Sequence, residues 1–515
     1  MNYSELKEGN AKVERNLEIL NAFYERLKME SRLRVDNHAN TKEGLVDLTL
    51  EQAQEIASGI KLAIANGDSF QLYLNWSICE QLCRDCPYVK VLLSDLKEIR
   101  GENATLELAR AISNQIMAHS SFFEGKKAGI IYNGGGTASL RSHEESESIY
   151  AALQMIVDLL PTKEINLEGS GSHFTPEKIV EEIELRKRYF PNAMIRWSAG
   201  GFGENISGRV EPVDSCLEAI PRINELCKSG SVPFIINVDF VFGNKNFDNN
   251  KTIQNILDTL DKMLNSGIGE NGILGQITTY GMRNSLGQEA HLETYLKEYF
   301  EIDSSVHDWL RIKNLELSDD NQLVIEYGPQ TLGGRWLTIK KKNILDSTEF
   351  YIQNRWSMFN KDGELSKEVL QGLGNAAYSA FPIFEDSDPN ENIRFVRPTV
   401  KPNIDKYIEN SSSISPTAEG LMEYYDVRIL NINYKTAQEL HSSCRYYFEF
   451  TTGQNMIKVN EYLLVHFLQL IKTDIFGHRY LDFSSNDFVA LREGLMSYLN
   501  QNSAFYPKEK EALSL

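Results

Sequence analysis

The first 300 residues alternate between short apolar runs and longer segments in which apolar positions have helical spacing. The runs are QLYLNW at 71–76, AGIIYN at 128–133, EINLEG at 164–169, MIRWSA at 194–199, PFIINVDFVFG at 233–243 and ILGQITTYG at 273–281. From the second run onward they recur about every 30 to 40 residues, the length of one strand plus a crossover helix. The pattern therefore predicts six β/α units around a parallel sheet.

The predicted fold class is α/β, an open partial (β/α)6 barrel of the TIM type with N-terminal helices and α+β C-terminal modules. Full closure is not expected, because no seventh and eighth unit of this kind follows. The predicted domains are an N-terminal helical segment at 1–65, the barrel at 66–300, an α+β extension with antiparallel hairpins at 301–383, an extended linker rich in Pro, Asn and Ser at 384–419, and a mainly helical module at 420–515.

Charge and hydropathy narrow the partners of the chain. The net charge of −19 over 515 residues repels polyanions, so no nucleic-acid partner is expected. No apolar run approaches the roughly 18 to 20 residues that span a bilayer, and the first residues lack the apolar core of a signal peptide. The expected location is therefore the cytoplasm without membrane attachment, where the six cysteines stay reduced.

Three of these cysteines stand close together directly after the first predicted strand. Their spacing is Cys79-x3-Cys83-x2-Cys86, and the residues that follow offer no fourth Cys or His nearby. A structural zinc site needs four protein ligands, so zinc would require a distant fourth. A [4Fe–4S] cluster held by three cysteines instead leaves one iron open for a ligand. Zinc binding and an incidental group of cysteines remain the alternatives.

Further motifs lie just before the first cysteine and at the ends of the next strands. A tyrosine, Tyr73, precedes Cys79 by six residues, and NGGGTASL supplies Gly134, Gly135, Gly136 and Thr137 after the second strand. In this order the motifs resemble the radical S-adenosylmethionine (SAM) superfamily, and in detail the oxygen-independent coproporphyrinogen III oxidase family. The later landmarks of that resemblance are Glu168, Arg196 and Ser198, Gly208 and Arg209, Asp239 and Gly243, Tyr280, and GLGNAAYSAF at 372–381.

The resemblance implies two cofactors, one [4Fe–4S] cluster and SAM. Cys79, Cys83 and Cys86 would hold the cluster and so form the catalytic centre, whose reduction would split SAM and give a radical that abstracts a substrate hydrogen. The implied SAM-binding residues are Tyr73, Gly134, Gly135, Gly136, Thr137, Glu168, Arg209 and Asp239. Glycines admit a ligand to the backbone, while Glu168, Asp239 and Arg209 offer charges for its ammonium, ribose and carboxylate groups.

The chain departs from the family pattern at a few positions. Asp85 stands where an aromatic residue usually precedes the third cysteine, with Tyr88 as a possible substitute. Asn75 and Ser77 replace a His and a Pro ahead of the first cysteine, and the stretch after the fourth strand is shortened to GGFGENISGR. These departures bear on porphyrinogen decarboxylation more than on SAM cleavage.

The resulting hypothesis is a radical SAM enzyme that modifies a small or medium organic substrate, with methyl transfer as one outcome. A flavodoxin or ferredoxin is the expected electron donor. The alternatives are a coproporphyrinogen III oxidase-type decarboxylase and a non-catalytic haem-binding or haem-trafficking protein. Two loop histidines, His143 and His173, are predicted to be solvated rather than to face the pocket.

Overall fold

The structure is a computed structural model. It describes residues 45–67, 70–81, 91–156, 158–191, 193–202, 221, 225, 234–242, 249–266, 273–281, 305, 309, 323–331, 334–341, 369–384, 392–433, 471–473 and 479–481.

The described helices and strands follow the order that the apolar runs predict. The helices are α1 (Leu50–Asn66), α2 (Leu93–Arg100), α3 (Ala104–Ala118), α4 (Ser120–Phe123), α5 (His143–Ile156), α6 (Pro176–Tyr189), α7 (Asn249–Asn265), α8 (Ile404–Asn410) and α9 (Ala418–Tyr424). The strands are β1 (Phe70–Trp76), β2 (Ile78–Cys79), β3 (Val91–Leu92), β4 (Lys127–Gly135), β5 (Asp158–Ser170), β6 (Met194–Phe202), β7 (Phe234–Phe242), β8 (Ile273–Gly281), β9 (Leu323–Thr331), β10 (Gly334–Lys341), β11 (Val369–Leu373), β12 (Phe381–Phe384), β13 (Asn392–Val400), β14 (Tyr425–Asn433), β15 (Ile471–Thr473) and β16 (Arg479–Leu481).

Local signals explain where the best-defined helices begin. Thr49 precedes α1 and accepts a hydrogen bond from the Gln52 amide, while the Gln52 side chain accepts one from the Thr49 amide. This reciprocal cap satisfies amides that have no partner within the helix. The Thr175 hydroxyl caps α6 by accepting a hydrogen bond from the Lys178 amide, and Pro176 stands in the first turn, where its missing N–H costs nothing.

A nine-stranded sheet forms the centre of the molecule, in the order β11-β1-β4-β5-β6-β7-β8-β10-β9. The six strands β1, β4, β5, β6, β7 and β8 pair in parallel, which confirms the predicted partial barrel. β9 and β10 extend it as the expected antiparallel hairpin. β11 adds a parallel strand beside β1, which the sequence did not predict. Among the described strands no pairing joins β11 to β9, so the sheet is open.

The two faces of the sheet differ in chemistry. Alternate residues such as Leu74, Ile131 and Trp197 belong to the main apolar core, together with residues of α1, α3, α5 and α6. The residues between them line the opposite, inner face, because successive side chains of a strand alternate. Much of that inner face is polar and buried: Gln71, Asn75, Glu164, Asn166, Arg196, Ser198 and Asn237. Packed barrel cores are filled mainly by branched apolar side chains, so the polar side chains of this face favour a binding site over a packed core.

The chain beyond the sheet differs from the extended linker expected at 384–419. β13 lies in that stretch and pairs with β12 and β14 in a three-stranded antiparallel sheet, and α8 follows it. Pro398 is accommodated in β13 because β12 pairs only with the residues from Ile393 to Val396, which leaves that side of Pro398 outside the ladder. The Pro398 carbonyl instead accepts a hydrogen bond from the Ser379 amide.

No helix within the described ranges combines the length and the apolar character that crossing a bilayer requires.

A buried charge cluster joins α5 and α6 to the sheet. The Glu182 carboxylate is 2% exposed and lies 3.4 Å from Nε of the fully buried Arg186, whose guanidinium also donates to the Ile165 carbonyl at 2.8 Å. Burial alone would raise the pKa of Glu182, but Arg186, Lys178 and Arg141 and a hydrogen bond from Ser146 outweigh it, so the pKa is lowered. Glu182 is therefore charged in the folded protein.

We expect Glu182→Gln to lower the free energy of unfolding by about 3 kcal/mol at pH 7, because it leaves buried cations without their counter-ion. A carboxyl whose folded pKa is depressed stabilises above its unfolded pKa, and this stabilisation is lost as pH falls through the folded value. The difference in the free energy of unfolding between the unaltered protein and Glu182→Gln, measured by urea unfolding, should therefore be smaller at pH 4 than at pH 7.

The matched control is Glu147→Gln, which breaks the exposed pair of Glu147 with Arg188 and should cost less than about 1 kcal/mol. Burial lowers the pKa of His119 to about 4, but this acts equally on all the proteins compared. An equal deficit of Glu182→Gln at both pH values would contradict a charged Glu182.

Candidate functional site

The first predicted cysteine lies where β1 ends. β1 is buried along its whole length, and the chain continues through Ser77 into β2, which ends at Cys79. β2 pairs in parallel with β3, and the Val91 amide donates to the Ser77 carbonyl at 2.8 Å. Val91 and Leu92 therefore lie beside Ile78 and Cys79, just after the end of β1. Cys79 itself is buried, with 7% of its surface exposed.

The glycine turn after β4 packs directly on this end of β1. The Gly136 amide donates to the Trp76 carbonyl at 2.7 Å, and the Thr137 amide donates to the Ile78 carbonyl at 2.8 Å. The Thr137 hydroxyl lies 3.6 Å from Cys79 Sγ and donates to it. The predicted glycine turn and the first predicted cysteine therefore share one rim of the sheet, at the carboxyl ends of the strands, where sites of α/β proteins assemble.

Two of the glycines are required by close approach. Gly135 has φ of +105°, a conformation that residues with a Cβ rarely adopt. A Cβ at Gly136 would lie 2.5 Å from the Ile78 carbonyl oxygen and 2.9 Å from Cys79 Sγ. The turn therefore reaches the cysteine only because no side chain stands between them.

Glu168 reaches the same turn from the next strand. A Cβ at Gly134 would lie 2.6 Å from Glu168 Oε2, so the carboxylate rests against the Gly134 backbone. Glu168 is half-buried at the end of β5, in register with Ser198 on β6. The Ser198 hydroxyl accepts hydrogen bonds from Asn166 Nδ2 at 3.5 Å and Asn237 Nδ2 at 3.4 Å. The inner face thus continues from the rim as a hydrogen-bonded polar surface.

Deeper on the inner face, Arg196 forms a buried ion pair with Glu164. Arg196 Nε lies 2.9 Å from Glu164 Oε1, and the two side chains are 2% and 1% exposed. The sequence singled out Arg196 through the resemblance, but not its partner. The pair holds both charges inside the half-barrel without exposing either.

Tyr73 belongs to a cluster of aromatic rings on the inner face. Its ring centroid is 5.8 Å from that of Tyr132 and 5.2 Å from that of Tyr378. The Tyr73 hydroxyl donates to Asn75 Oδ1 at 3.2 Å. The cluster forms an apolar wall next to the polar rim.

A second glycine turn, after β11, closes on β1 from the other side. Asn75 Nδ2 donates to the Asn375 carbonyl at 2.5 Å, and Asn375 Nδ2 donates to the Ser77 hydroxyl at 3.2 Å. Gly374 has φ of +116° and packs against the Asn75 backbone. Asn75 and Ser77, the two departures from the family pattern before the first cysteine, are thus both partners of Asn375. The motif GLGNAAYSAF indicates this glycine-rich segment in the sequence, but it does not indicate the contact of Asn375 with Asn75 and Ser77.

The two loop histidines differ. His143 is exposed at the start of α5, as predicted. The prediction is wrong for His173, whose side chain is 17% exposed and lies between Ser139 and Glu80. This contact gave no signal in the sequence, because Glu80, Ser139 and His173 belong to three different β/α units.

Several predicted site residues lie outside the described residues. They are Cys83, Cys86, Arg209, and the side chain of Asp239, whose backbone pairs with Thr278 in the β7–β8 ladder. Asp85 and Tyr88 lie outside as well. Among the side chains that the structure does describe, no group of three or more His, Cys, Asp or Glu is arranged to hold a metal ion. Cys79 is the predicted ligand whose position is known.

No protein-family model matches the sequence. No curated protein matches it. Among solved structures, the chain is similar to coproporphyrinogen III oxidase from Escherichia coli, described as a radical SAM enzyme, with a TM-score of 0.46 and 12% identity over 88% of this chain and 96% of that chain. At this TM-score the likeness says nothing about the activity of this chain.

We expect Gly136→Ala to displace the turn from Cys79, because the new methyl group would overlap the Ile78 carbonyl and the thiol. Overpacking of this kind costs about 1 to 3 kcal/mol. In the metal-free protein, the rate at which iodoacetamide alkylates Cys79 should rise several-fold, measured by mass spectrometry of the peptide.

Gly101→Ala is the matched control, because Gly101 has φ of +84° but nothing within 4 Å of the added methyl group. It should cost about 1 kcal/mol through backbone strain and leave the alkylation of Cys79 unchanged. Equal alkylation rates in the two variants would show that the turn does not shield the thiol.

Proposed function

We propose that this protein is a radical SAM enzyme. The observation that carries the proposal is the convergence of Cys79, the Gly134 to Thr137 turn and Glu168 on one rim, with the thiol 3.6 Å from the Thr137 hydroxyl. The residues come from three successive β/α units, β1, β4 and β5. A soft sulfur ligand, a side-chain-free backbone turn and a carboxylate next to each other suit a metal cluster beside a zwitterionic ligand.

The residues on the rim fit the two cofactors. Cys79, together with Cys83 and Cys86, would hold a [4Fe–4S] cluster, and Gly134 and Gly136 let Glu168 and Cys79 lie directly against the backbone of the turn, so that thiol, turn and carboxylate are next to each other. Tyr73, Gly135, Thr137, Arg209 and Asp239 complete the proposed SAM site. When bound, the reduced cluster and SAM supply a carbon-centred radical able to remove a hydrogen atom from an unactivated carbon.

The protein groups have separate tasks in this proposal. The glycine turn presents its backbone to the amino-acid part of SAM, and Glu168 accepts hydrogen bonds from the ammonium group. The Tyr73, Tyr132 and Tyr378 rings form the apolar wall that keeps water from the reacting atoms. The polar inner face around Ser198 orients the substrate through neutral hydrogen bonds.

The proposed substrate is a small or medium organic molecule bound inside the half-barrel, and the proposed electron donor is a flavodoxin or ferredoxin. Methyl transfer is one proposed outcome. Oxidative decarboxylation of a porphyrinogen is the second proposed outcome. Asn75 and Ser77 argue against it, because they replace residues of the coproporphyrinogen III oxidase pattern just before the first cysteine.

The decisive experiment is anaerobic reconstitution with iron and sulfide. We expect a brown protein with about four irons per chain that releases 5′-deoxyadenosine from SAM only when dithionite is added. Haem uptake without SAM cleavage would support the carrier instead, and a colourless protein holding zinc would reject the cluster.

Cys83→Ala should reduce the iron content to below about one per chain and abolish SAM cleavage, because two thiolates hold a cubane poorly. Cys444→Ala, far from the triad in the sequence, is the matched control and should load as the unaltered protein does. Full iron content and absorbance in Cys83→Ala would remove this cysteine from the cluster.

A further inference from the structure

A chain of hydrogen bonds runs across the rim beside the candidate site. The Ser139 hydroxyl lies 2.9 Å from His173 Nδ1, and His173 Nε2 lies 3.1 Å from Glu80 Oε2. The Ser170 amide donates to Ser139 Oγ at 3.3 Å. This series of hydrogen bonds therefore passes from the backbone at the last residue of β5 through a serine and an imidazole to a carboxylate.

For a neutral imidazole the partners fix the direction of each hydrogen bond. A carboxylate only accepts, so the Nε2 that faces Glu80 must carry the proton. In the neutral imidazole Nδ1 then accepts, and the hydrogen comes from the Ser139 hydroxyl, whose oxygen is already the acceptor for the Ser170 amide. One tautomer satisfies all three links. His173 is thus held from both ring nitrogens.

The three side chains stand at related places in the sequence. Glu80 directly follows Cys79, Ser139 follows Thr137 by two residues, and His173 lies five residues beyond Glu168. Ser139 belongs to the short 3-10 helix Ala138–Leu140 after the glycine turn. His173 ends the corresponding 3-10 helix Gly171–His173 after β5. This series of hydrogen bonds therefore connects the three segments that carry Cys79, the glycine turn and Glu168.

The close packing around Ser139 makes the link stiff. Ser139 is 4% exposed, and a Cβ at Gly169 would collide with its side chain. His173 is mostly buried at 17% exposure, whereas Glu80 is 46% exposed. The closely packed end of this hydrogen-bond series is therefore at β5. The more exposed end is Glu80, the residue after Cys79.

We propose that His173, supported by Ser139, is a positioning residue that holds Glu80 and thereby sets the start of the cysteine loop against the glycine turn. The inference rests on the proposed function for its purpose, because the loop would carry the remaining cluster ligands. His173 acts through Glu80, and its ring nitrogens face Ser139 and Glu80. Its effect should therefore appear in the metal-free protein as well as in the loaded one.

The test compares His173→Ala with His143→Ala, which removes an exposed histidine from the preceding β/α unit. In the metal-free chain, iodoacetamide should alkylate Cys79 about fivefold to tenfold faster in His173→Ala, while His143→Ala stays at the unaltered rate. Hydrogen exchange of residues 78–81 should rise in parallel. In the loaded protein, His173→Ala should lose iron to a chelator faster and raise the KM for SAM more than it lowers kcat.

Two further variants separate positioning from general destabilisation. Glu80→Ala changes a half-exposed side chain and should reproduce the faster alkylation even if His173→Ala folds poorly. His173→Gln retains an N–H donor for Glu80 and should restore at least half of the protection of Cys79. The thermal midpoint of Glu80→Ala should stay within about 3 °C of that of the unaltered protein, since substitutions of exposed side chains usually cost little.

The outcomes distinguish this inference from the proposed function. If Cys79 is alkylated at the same rate in the unaltered protein, His173→Ala and Glu80→Ala, the positioning role is wrong, whether or not SAM is cleaved. If those two variants expose Cys79 while the unaltered chain loads no cluster, the positioning role stands and the proposed function fails.

Discussion

The candidate site depends on how closely two backbone turns approach the end of β1. On one side the Gly136 and Thr137 amides donate to the Trp76 and Ile78 carbonyls, and on the other Gly374 packs on the Asn75 backbone. Backbone groups at a strand end would otherwise need water or a side chain as partner. Here the Gly136 and Thr137 amides are the partners, and the missing side chains of Gly136 and Gly374 allow both turns to come this close, so the direction in which the chain leaves β1 is held from two sides. That direction brings Cys79 to the rim.

The remaining architecture supports this rim through the two faces of the sheet. Helices cover the outer face and supply most of the apolar burial, at about 1.5 to 3 kcal/mol for each large side chain such as Trp197. The inner face is thereby free to be polar. Burying Asn166, Ser198 and Asn237 there would be costly without partners, and the hydrogen bonds between neighbouring strands offset that cost. Stability and chemistry are thus assigned to opposite faces.

The fold was largely predictable, because the apolar runs and the intervals between them are local features of the sequence. Each apolar run became a strand within a few residues, and the interval between runs gave the parallel order. β11 was not predictable: VLQGL is short, and it pairs with a strand 300 residues earlier. The Pro, Asn and Ser content of 384–419 predicts a linker, yet β13 pairs with β12 and β14, and composition does not indicate such pairing.

The site was predictable only as far as motifs reach. Cys79, the glycine turn and Glu168 could be placed on one rim because parallel strands present their carboxyl ends together. Asn375 and His173 could not, since each acts through a contact between segments distant in the sequence. An isolated loop histidine is usually solvated, and only the tertiary structure brings Ser139 and Glu80 to the two ring nitrogens of His173.

We propose that a [4Fe–4S] cluster with one open iron and SAM meet at this rim. The most direct measurement is electron–nuclear double resonance on the reconstituted, reduced protein with SAM carrying 15N in its amino group and 17O in its carboxylate. The account predicts a [4Fe–4S]+ signal with hyperfine coupling to both labels. A cluster signal without coupling to either label, or no cluster signal in a fully folded protein, would contradict it.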